Sequence, residues 1–259
     1  MGIPKTIHYC WFGRNPKPAI IKKCIRSWRR YCPDYEIIEW NEDNYDLACA
    51  PMYVKQAYEA GKWAFVTDYV RLEVLSEFGG IYMDTDVELV KPLDPFLQFE
   101  CFIGFQHERY VATGLVTGAT AHHPLIEENK SIYLDMSFQD EDDSHQLIVC
   151  QEYTTNILKS RGLVVPCTGQ VQIVDGIHVF PPEYFCPYDH RNFTMNRTNN
   201  TVAIHHFASS WWDDERKRRY KRNKRNLRMD MVVHLPNRIM IHLLGKTRYN
   251  KLKRRIKKD

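Results

Sequence analysis

The stretch WAFVTDYVRLEVLSEFGGIYMDTDVE (63–88) reads as a helix, a glycine stop, a buried strand and a row of acids. Ala64, Phe65, Val66, Tyr69, Val70, Leu72, Val74, Leu75 and Phe78 cover much of a helical circumference. That pattern predicts a helix over 63–78, buried on most sides. Gly79-Gly80 stops it, and Ile81-Tyr82-Met83-Asp84 follows as a buried strand. Asp68 and Arg71 are polar interruptions of this helix. They stand three residues apart and so share a face. A buried arginine needs a carboxylate or phosphate partner.

Working outward, KTIHYCWFG (5–13) is β-branched and aromatic and reads as a first strand. Residues 18–31 begin with Pro18 and carry apolar residues at helical spacing. YEIIEW (35–40) is a second strand, so the chain opens with a βαβ unit and belongs to the α/β class. Short strands are expected near 101–106 and 114–119, and helices near 122–134 and 151–161. An acidic loop is expected over 137–146. VQIVDGIHVF (171–180) is a hairpin with an Asp-Gly turn, and TVAIHHF (201–207) a last strand.

The chain has 259 residues, 44% of them hydrophobic, which is enough for one sizeable core. Eight cysteines include no C-x-x-C pair, so they are expected as reduced thiols, not a zinc or redox motif. The opening MGIPKTIHYCWFG lacks a secretory pattern, and no run approaches the roughly 20 apolar residues that span a bilayer. The expectation is a cytoplasmic chain, peripheral to a membrane at most. Without a secretory signal, the N-x-T sequences at Asn192, Asn196 and Asn199 read as polar loop.

On a regular strand Asp84, Asp86 and Glu88 point to one side. Carboxylates set close together repel, and a divalent cation relieves that. Oxygen ligands suit Mg²⁺ or Mn²⁺, which keep positions open for water or phosphate. Four readings meet here. One is a metal–nucleotide-sugar site of the Asp-x-Asp type. A calcium loop fails, because Leu89 stands where that loop needs glycine. An Asp-nucleophile phosphatase expects threonine where Glu88 stands. The plain alternative is a solvated strand end. Asp68 and Arg71 beside the acids favour the first.

TDYVRLEVLSEFGGIYMDTD (67–86) resembles the pattern (S/T)-D-x-x-R-x-x-x-L-x-x-x-G-G-x-Y-x-D-x-D of glycosyltransferase family 32, shared with the glucosyltransferase domains of large clostridial toxins. Asp68, Arg71, Leu75, Gly79, Gly80, Tyr82, Asp84 and Asp86 all match at the family's spacing. IPKTIHYCWFG (3–13) and SWRRYCPDYEIIEW (27–40) are similar to the family's opening, and AIHHFASSW (203–211) to its closing segment.

The resemblance implies a GT-A fold over residues 1–212, a nucleotide-diphosphate sugar donor of which a UDP-sugar is the first expectation, a divalent metal and a retaining transfer. It implies that Trp11 stacks on the base, with Phe12 beside it in the donor pocket. Asp68 and Arg71 would hold the donor sugar, and Tyr82 would line its pocket. Asp84 would contact ribose, sugar or a metal-bound water, and Asp86 would bind the metal. His205 is the expected further ligand, with His206 the alternative. Ser210 and Trp211 would reach the diphosphate. The implied setting is bacterial capsule or O-antigen synthesis on a lipid-linked glycan acceptor. A toxin-like protein glycosyltransferase, a phosphatase and a non-catalytic sugar-binding module remain as alternatives.

Residues 216–259 carry 18 Lys/Arg against Asp230 and Asp259, so an acidic body precedes a basic tail. Residues 213–259 are expected to form a basic helical extension that meets anionic lipid, at about 1 kcal/mol per basic residue near the surface. Ile239, Met240, Ile241, Leu243 and Leu244 between the charge clusters fit an interfacial helix. Nucleic acid is not expected as a partner, because no reader motif accompanies the charge.

Overall fold

The parallel βαβ opening builds one half of the sheet that carries the acids. Strand β1 (Thr6–Cys10) pairs in parallel with β2 (Glu36–Trp40), and helix α1 (Ala19–Tyr31) crosses between them. Helices α2 (Met52–Glu59) and α3 (Trp63–Phe78) follow, then β3 (Gly80–Tyr82), which pairs in parallel with the other edge of β1. The computed structural model describes residues 2–138, 143–189 and 194–208, with Arg218, Arg219 and Arg222 beyond them. Ser210, Trp211 and nearly all of the expected basic extension lie outside the described residues, as does part of the expected acidic loop.

Strand β4 (Val87–Leu89) leaves the main sheet. Strands β5 (Cys101–His107), β6 (Tyr110–Ala112) and β7 (Thr117–Ala119) return to it, followed by helices α4 (Pro124–Ile132) and α5 (Asp143–Ser160). The hairpin β8 (Gln172–Val174) and β9 (Ile177–Phe180) turns through Asp175 and Gly176, both at positive φ, as the Asp-Gly sequence requires. The short helix α6 (Pro182–Phe185), the small pair β10 (Tyr188–Asp189) and β11 (Thr194–Met195), and β12 (Ala203–His205) complete the described elements.

The main sheet runs β2-β1-β3-β7-β5-β9-β8, with β6 on β5. Its β2-β1-β3 half is parallel, while β7 runs antiparallel to both β3 and β5. The α/β class and GT-A layering expected from the sequence are present, on a mixed sheet. Alternation along β3 divides the core. Ile81 and Met83 face one apolar cluster with Trp28 of α1, and Tyr82 faces the other with Leu72 and Leu75 of α3.

Helix α3 has the bounds that its pattern predicts, and ten of its residues are buried, Asp68 and Arg71 among them. Gly79 ends it at φ 63°, where an added Cβ would lie 2.8 Å from the Ala121 nitrogen. Helix α1 buries Ile21, Cys24, Ile25 and Trp28, and the Trp28 indole N–H donates to the Val87 carbonyl at 2.7 Å. That bond ties α1 to β4. All eight cysteines are free thiols. Among the described residues no helix is long and apolar enough to cross a membrane.

The acid row is the main departure from expectation. Strand β3 ends at Tyr82, residues 85–86 form a turn, and Glu88 lies on β4, which pairs with β12 instead. The turn, not the pleat of a continuing strand, sets Asp86 relative to Asp84. Glu88 pairs with Lys23 and His206, both at 2.7 Å, and does not extend the row. Helix α2 is too short for periodicity to announce it, and α5 starts earlier than its apolar pattern suggested.

His8 locks the corner where α3 meets β3. Its Nε2 faces the Gly79 carbonyl at 2.9 Å, and its Nδ1 faces the Trp40 indole nitrogen at 3.1 Å. The indole only donates, so Nδ1 accepts and Nε2 carries the proton. Burial pushes the imidazole down to about 4 from 6.5. The unfolded chain therefore binds a proton between these values that the folded chain refuses. Stability is intact above pH 6.5 and is lost as pH falls toward 4. Urea unfolding should show this histidine removing about 2 kcal/mol between pH 7 and pH 5. Imidazole nitrogen shifts should report a neutral His8 at pH 5, and titration near 6.5 would contradict the lock.

Candidate active site

Four elements bring the site together. Helix α3 supplies Asp68 and Arg71, the turn after β3 supplies Asp84 and Asp86, β12 supplies His205, and the loop after β6 supplies Gly114. Inside the protein the Arg71 guanidinium meets Asp68 Oδ1 at 2.6 Å, and its second nitrogen lies 3.9 Å from Asp84 Oδ1. Its Nε donates to the Thr67 carbonyl at 2.9 Å, and its face lies 5.3 Å from the centre of the Tyr82 ring. The Tyr82 hydroxyl donates to Asp84 at 3.2 Å. Arg71 is therefore held by two carboxylates, a carbonyl and an aromatic face, which fixes its orientation.

The backbone places Asp84. Met83 N–H donates to the His8 carbonyl and Asp84 N–H to that of Gly114, continuing β3 by one residue on each side. The chain then turns, with Val87 N–H donating to the Asp84 carbonyl. Residues 205–208 clamp this turn. His206 N–H donates to the Asp86 carbonyl, and Ala208 N–H donates to Asp86 Oδ2 at 2.7 Å. His205 Nε2 lies 3.1 Å from Asp86 Oδ1.

Charge divides these groups. Burial pushes Asp68 up to about 6 despite the pull of Arg71. Burial also raises Asp84, and the Asp86 charge adds to it against Arg71. Asp86 moves the other way: burial raises it, but His205 and the Ala208 N–H more than offset that. The same carboxylate holds His205 well above its usual value, against burial.

Asp84 keeps 31% of its side chain exposed, against 14% for Asp86 and 12% for His205. Two carboxylates and an imidazole suit Mg²⁺ or Mn²⁺. Among the described residues no three acidic, histidine or cysteine side chains form a ready metal cage. His205 Nδ1 is buried without a hydrogen-bond partner there. These residues fit a cation held by the aspartates with open positions for other oxygens, not a closed protein cage.

Of the two histidines, His205 faces Asp86 and His206 faces Glu88. Trp11 is half-buried, its indole N–H donates to the Asn15 carbonyl at 2.7 Å, and the Lys17 ammonium lies 5.5 Å over its ring. Phe12 is buried against Tyr45 in the core. Tyr82 is fully buried and reaches the site through its hydroxyl.

Sequence reasoning missed Gly114, His8 and Cys150. A Cβ on Gly114 would strike the carboxylate of Asp84 and the guanidinium of Arg71. A glycine just past a strand was the available signal of close approach. Cys150 of α5 lies against Asp68, and nothing in its sequence context announces that.

Residues 18–103 match the glycosyltransferase sugar-binding region containing DXD motif, a segment that spans Asp68, Arg71, Asp84 and Asp86. Over this segment the chain is similar to that family model, in line with the resemblance its motif carries. Inositol phosphoceramide mannosyltransferase 1 of Schizosaccharomyces pombe is 30% identical over 135 residues, 48% of this chain and 40% of that protein. Alpha-1,4-N-acetylglucosaminyltransferase of Homo sapiens is 37% identical over 67 residues, 26% of this chain and 18% of that protein. The chain thus spans less than half the length of these relatives. A solved structure titled PaToxG Glycosyltransferase is similar at a TM-score of 0.49 and 20% identity, covering 61% of this chain and 69% of that one.

Replacing Gly114 by Ala should push Asp84 and Arg71 apart while leaving the backbone unstrained. Calorimetric binding of a nucleoside diphosphate with Mn²⁺ should weaken by about tenfold, the scale of one lost charged hydrogen bond. The melting temperature should fall by only a few degrees. Unchanged binding would show that the close approach of Gly114 does not set the site.

Proposed function

We propose that this chain transfers a hexose from a nucleoside-diphosphate sugar to an acceptor hydroxyl, with retention of anomeric configuration and with Mn²⁺ or Mg²⁺ bound. The observation that carries the reading is the open Asp84–Asp86 turn, backed by the buried Asp68–Arg71 pair at 2.6 Å. Asp84 and Asp86 would hold the cation, with His205 as a third donor. The cation, when bound, offsets negative charge on the leaving diphosphate.

The other roles belong to the chain's own residues. Arg71 and Asp68 present a fixed donor and acceptor, which suits adjacent sugar hydroxyls. The charge of Asp68 supports a sugar that becomes positive as its C1–O bond breaks. Tyr82 holds Asp84 through its hydroxyl, and Trp11 offers an aromatic surface for the base. Ser210 and Trp211 are proposed to close over the diphosphate, which would keep water from the donor. Same-face attack, with the departing phosphate taking the acceptor proton, accounts for retention without an enzyme nucleophile.

The curated relatives described above are a fission-yeast and a human protein, so a bacterial capsule or O-antigen setting has no support from them. Mannose is the first sugar to test, because the fission-yeast relative is named a mannosyltransferase; UDP-sugars form the second arm. That relative's name also supports a lipid-linked acceptor. The basic charge of residues 213–259 supports peripheral attachment to an anionic membrane face, and the absence of a reader motif argues against nucleic acid.

Wild-type protein should release free sugar slowly from one nucleotide-sugar in a panel, and only with Mn²⁺ or Mg²⁺. Asp86→Asn should lower the rate by about a hundredfold or more while leaving the fold intact. Cleavage of simple phosphate esters would favour a phosphatase instead. In vesicle flotation with anionic lipid, the full chain should float and a chain cut at residue 212 should not. Equal flotation would remove the membrane role.

A further inference from the structure

A second cleft of about 520 Å³ lies away from the aspartates, between the β6 edge, helix α5 and the Val165-Pro166 turn. Its size is within the range of small-molecule sites, about 300–1,000 Å³. Glu152, Thr155, Asn156 and Lys159 line it from one face of α5, at the i, i+3, i+4 and i+7 spacing of a helical stripe. Glu108, Arg109 and Tyr110 line it from the β5–β6 turn.

Part of this lining is fixed in place. The Tyr110 hydroxyl donates to Glu152 at 3.0 Å. The Thr155 hydroxyl accepts from Val111 N–H at 3.0 Å and donates to the Gln151 carbonyl at 2.7 Å, so its one proton is spent. The side chains of Glu108, Arg109, Asn156 and Lys159 make no hydrogen bond or ion pair among the described residues. Two cations and two carboxylates leave no net field to favour an anion. What remains is a set of donors and acceptors around the apolar Val165 and Pro166. A sugar hydroxyl donates once and accepts twice, so neighbouring hydroxyls match such a lining.

The cleft is tied to the aspartate site by two short covalent paths. Strand β6 and the turn after it lead from Tyr110 to Gly114, which sits on Asp84 and Arg71. Four residues of extended chain reach at most about 14 Å. Helix α5 carries Cys150, which lies against Asp68, and two residues on it carries Glu152 at the cleft. The two places therefore lie within the reach of a short oligosaccharide.

We infer that this cleft is the distal acceptor subsite, holding a neutral sugar unit of an oligosaccharide whose reactive end lies at the aspartates. The inference rests on the transferase reading above. Asn156 and Glu108 are then specificity-determining residues that touch no donor atom.

The test uses the full chain with Mn²⁺ and a nucleoside diphosphate, probed by saturation-transfer NMR with mannotriose, cellotriose and maltotriose. At least one trisaccharide should bind, and Asn156→Ala and Glu108→Gln should each weaken it by about tenfold, one hydrogen bond's worth. Sugar release from the donor, measured without trisaccharide, should be unchanged in both variants. If no trisaccharide binds, or binding is the same in both variants, the subsite inference is overturned while donor release still supports a transferase. If trisaccharide binds but wild-type protein releases sugar from no donor, the transferase reading falls and the acceptor role goes with it.

Discussion

Arg71 is buried, and a charge in that position must be answered on the spot. An isolated guanidinium inside a protein costs several kcal/mol unless its donors are used. Asp68, one helical turn before it, answers one side at 2.6 Å. Asp84 answers the other from a different element. The second contact is possible only because α3 turns directly into β3 at Gly79-Gly80 and the strand runs back along the helix. The two glycines, the His8 lock beneath them and the bare face of Gly114 above all serve that approach.

The second constraint is electrostatic. Three carboxylates, Asp68, Asp84 and Asp86, face Arg71 and His205 in a small volume. The two cations do not fall evenly: His205 and the Ala208 N–H favour ionised Asp86, whereas Asp84 lies between Arg71 and the repulsion of Asp86. Asp84 is also the more exposed of the pair. An acid that is raised by its neighbour and open to solvent is where added positive charge gains most. The strand β12 and the residues after it clamp the turn from the other side, so this arrangement depends on chain far from the motif.

Much of this was legible in the sequence, for identifiable reasons. Helix α3 is apolar nearly all round, so its bounds and burial follow from pattern alone. Asp68 and Arg71 were conspicuous because they broke that pattern. The Asp-Gly turn between β8 and β9 follows from backbone sterics. The direction of the acids did not, because a period-two reading assumes a strand that continues, and β3 ends two residues earlier. Glu88 joined the row on paper and Lys23 and His206 in space. Gly114 and Cys150 meet the site through tertiary packing, for which local sequence carries little signal. Phe12, paired with Trp11 as a donor contact, points into the core because alternate residues leaving β1 face opposite ways.

The central claim is that the turn at Asp84 and Asp86 holds a divalent cation against a diphosphate. The most direct measurement is a crystal of the full chain grown with Mn²⁺ and a nucleoside diphosphate, with anomalous data collected at the manganese edge. The account predicts a peak at coordination distance, about 2.0–2.3 Å, from an Asp86 carboxylate oxygen, with diphosphate oxygens completing its shell. A diphosphate bound at the aspartate site with no manganese at either aspartate would contradict it.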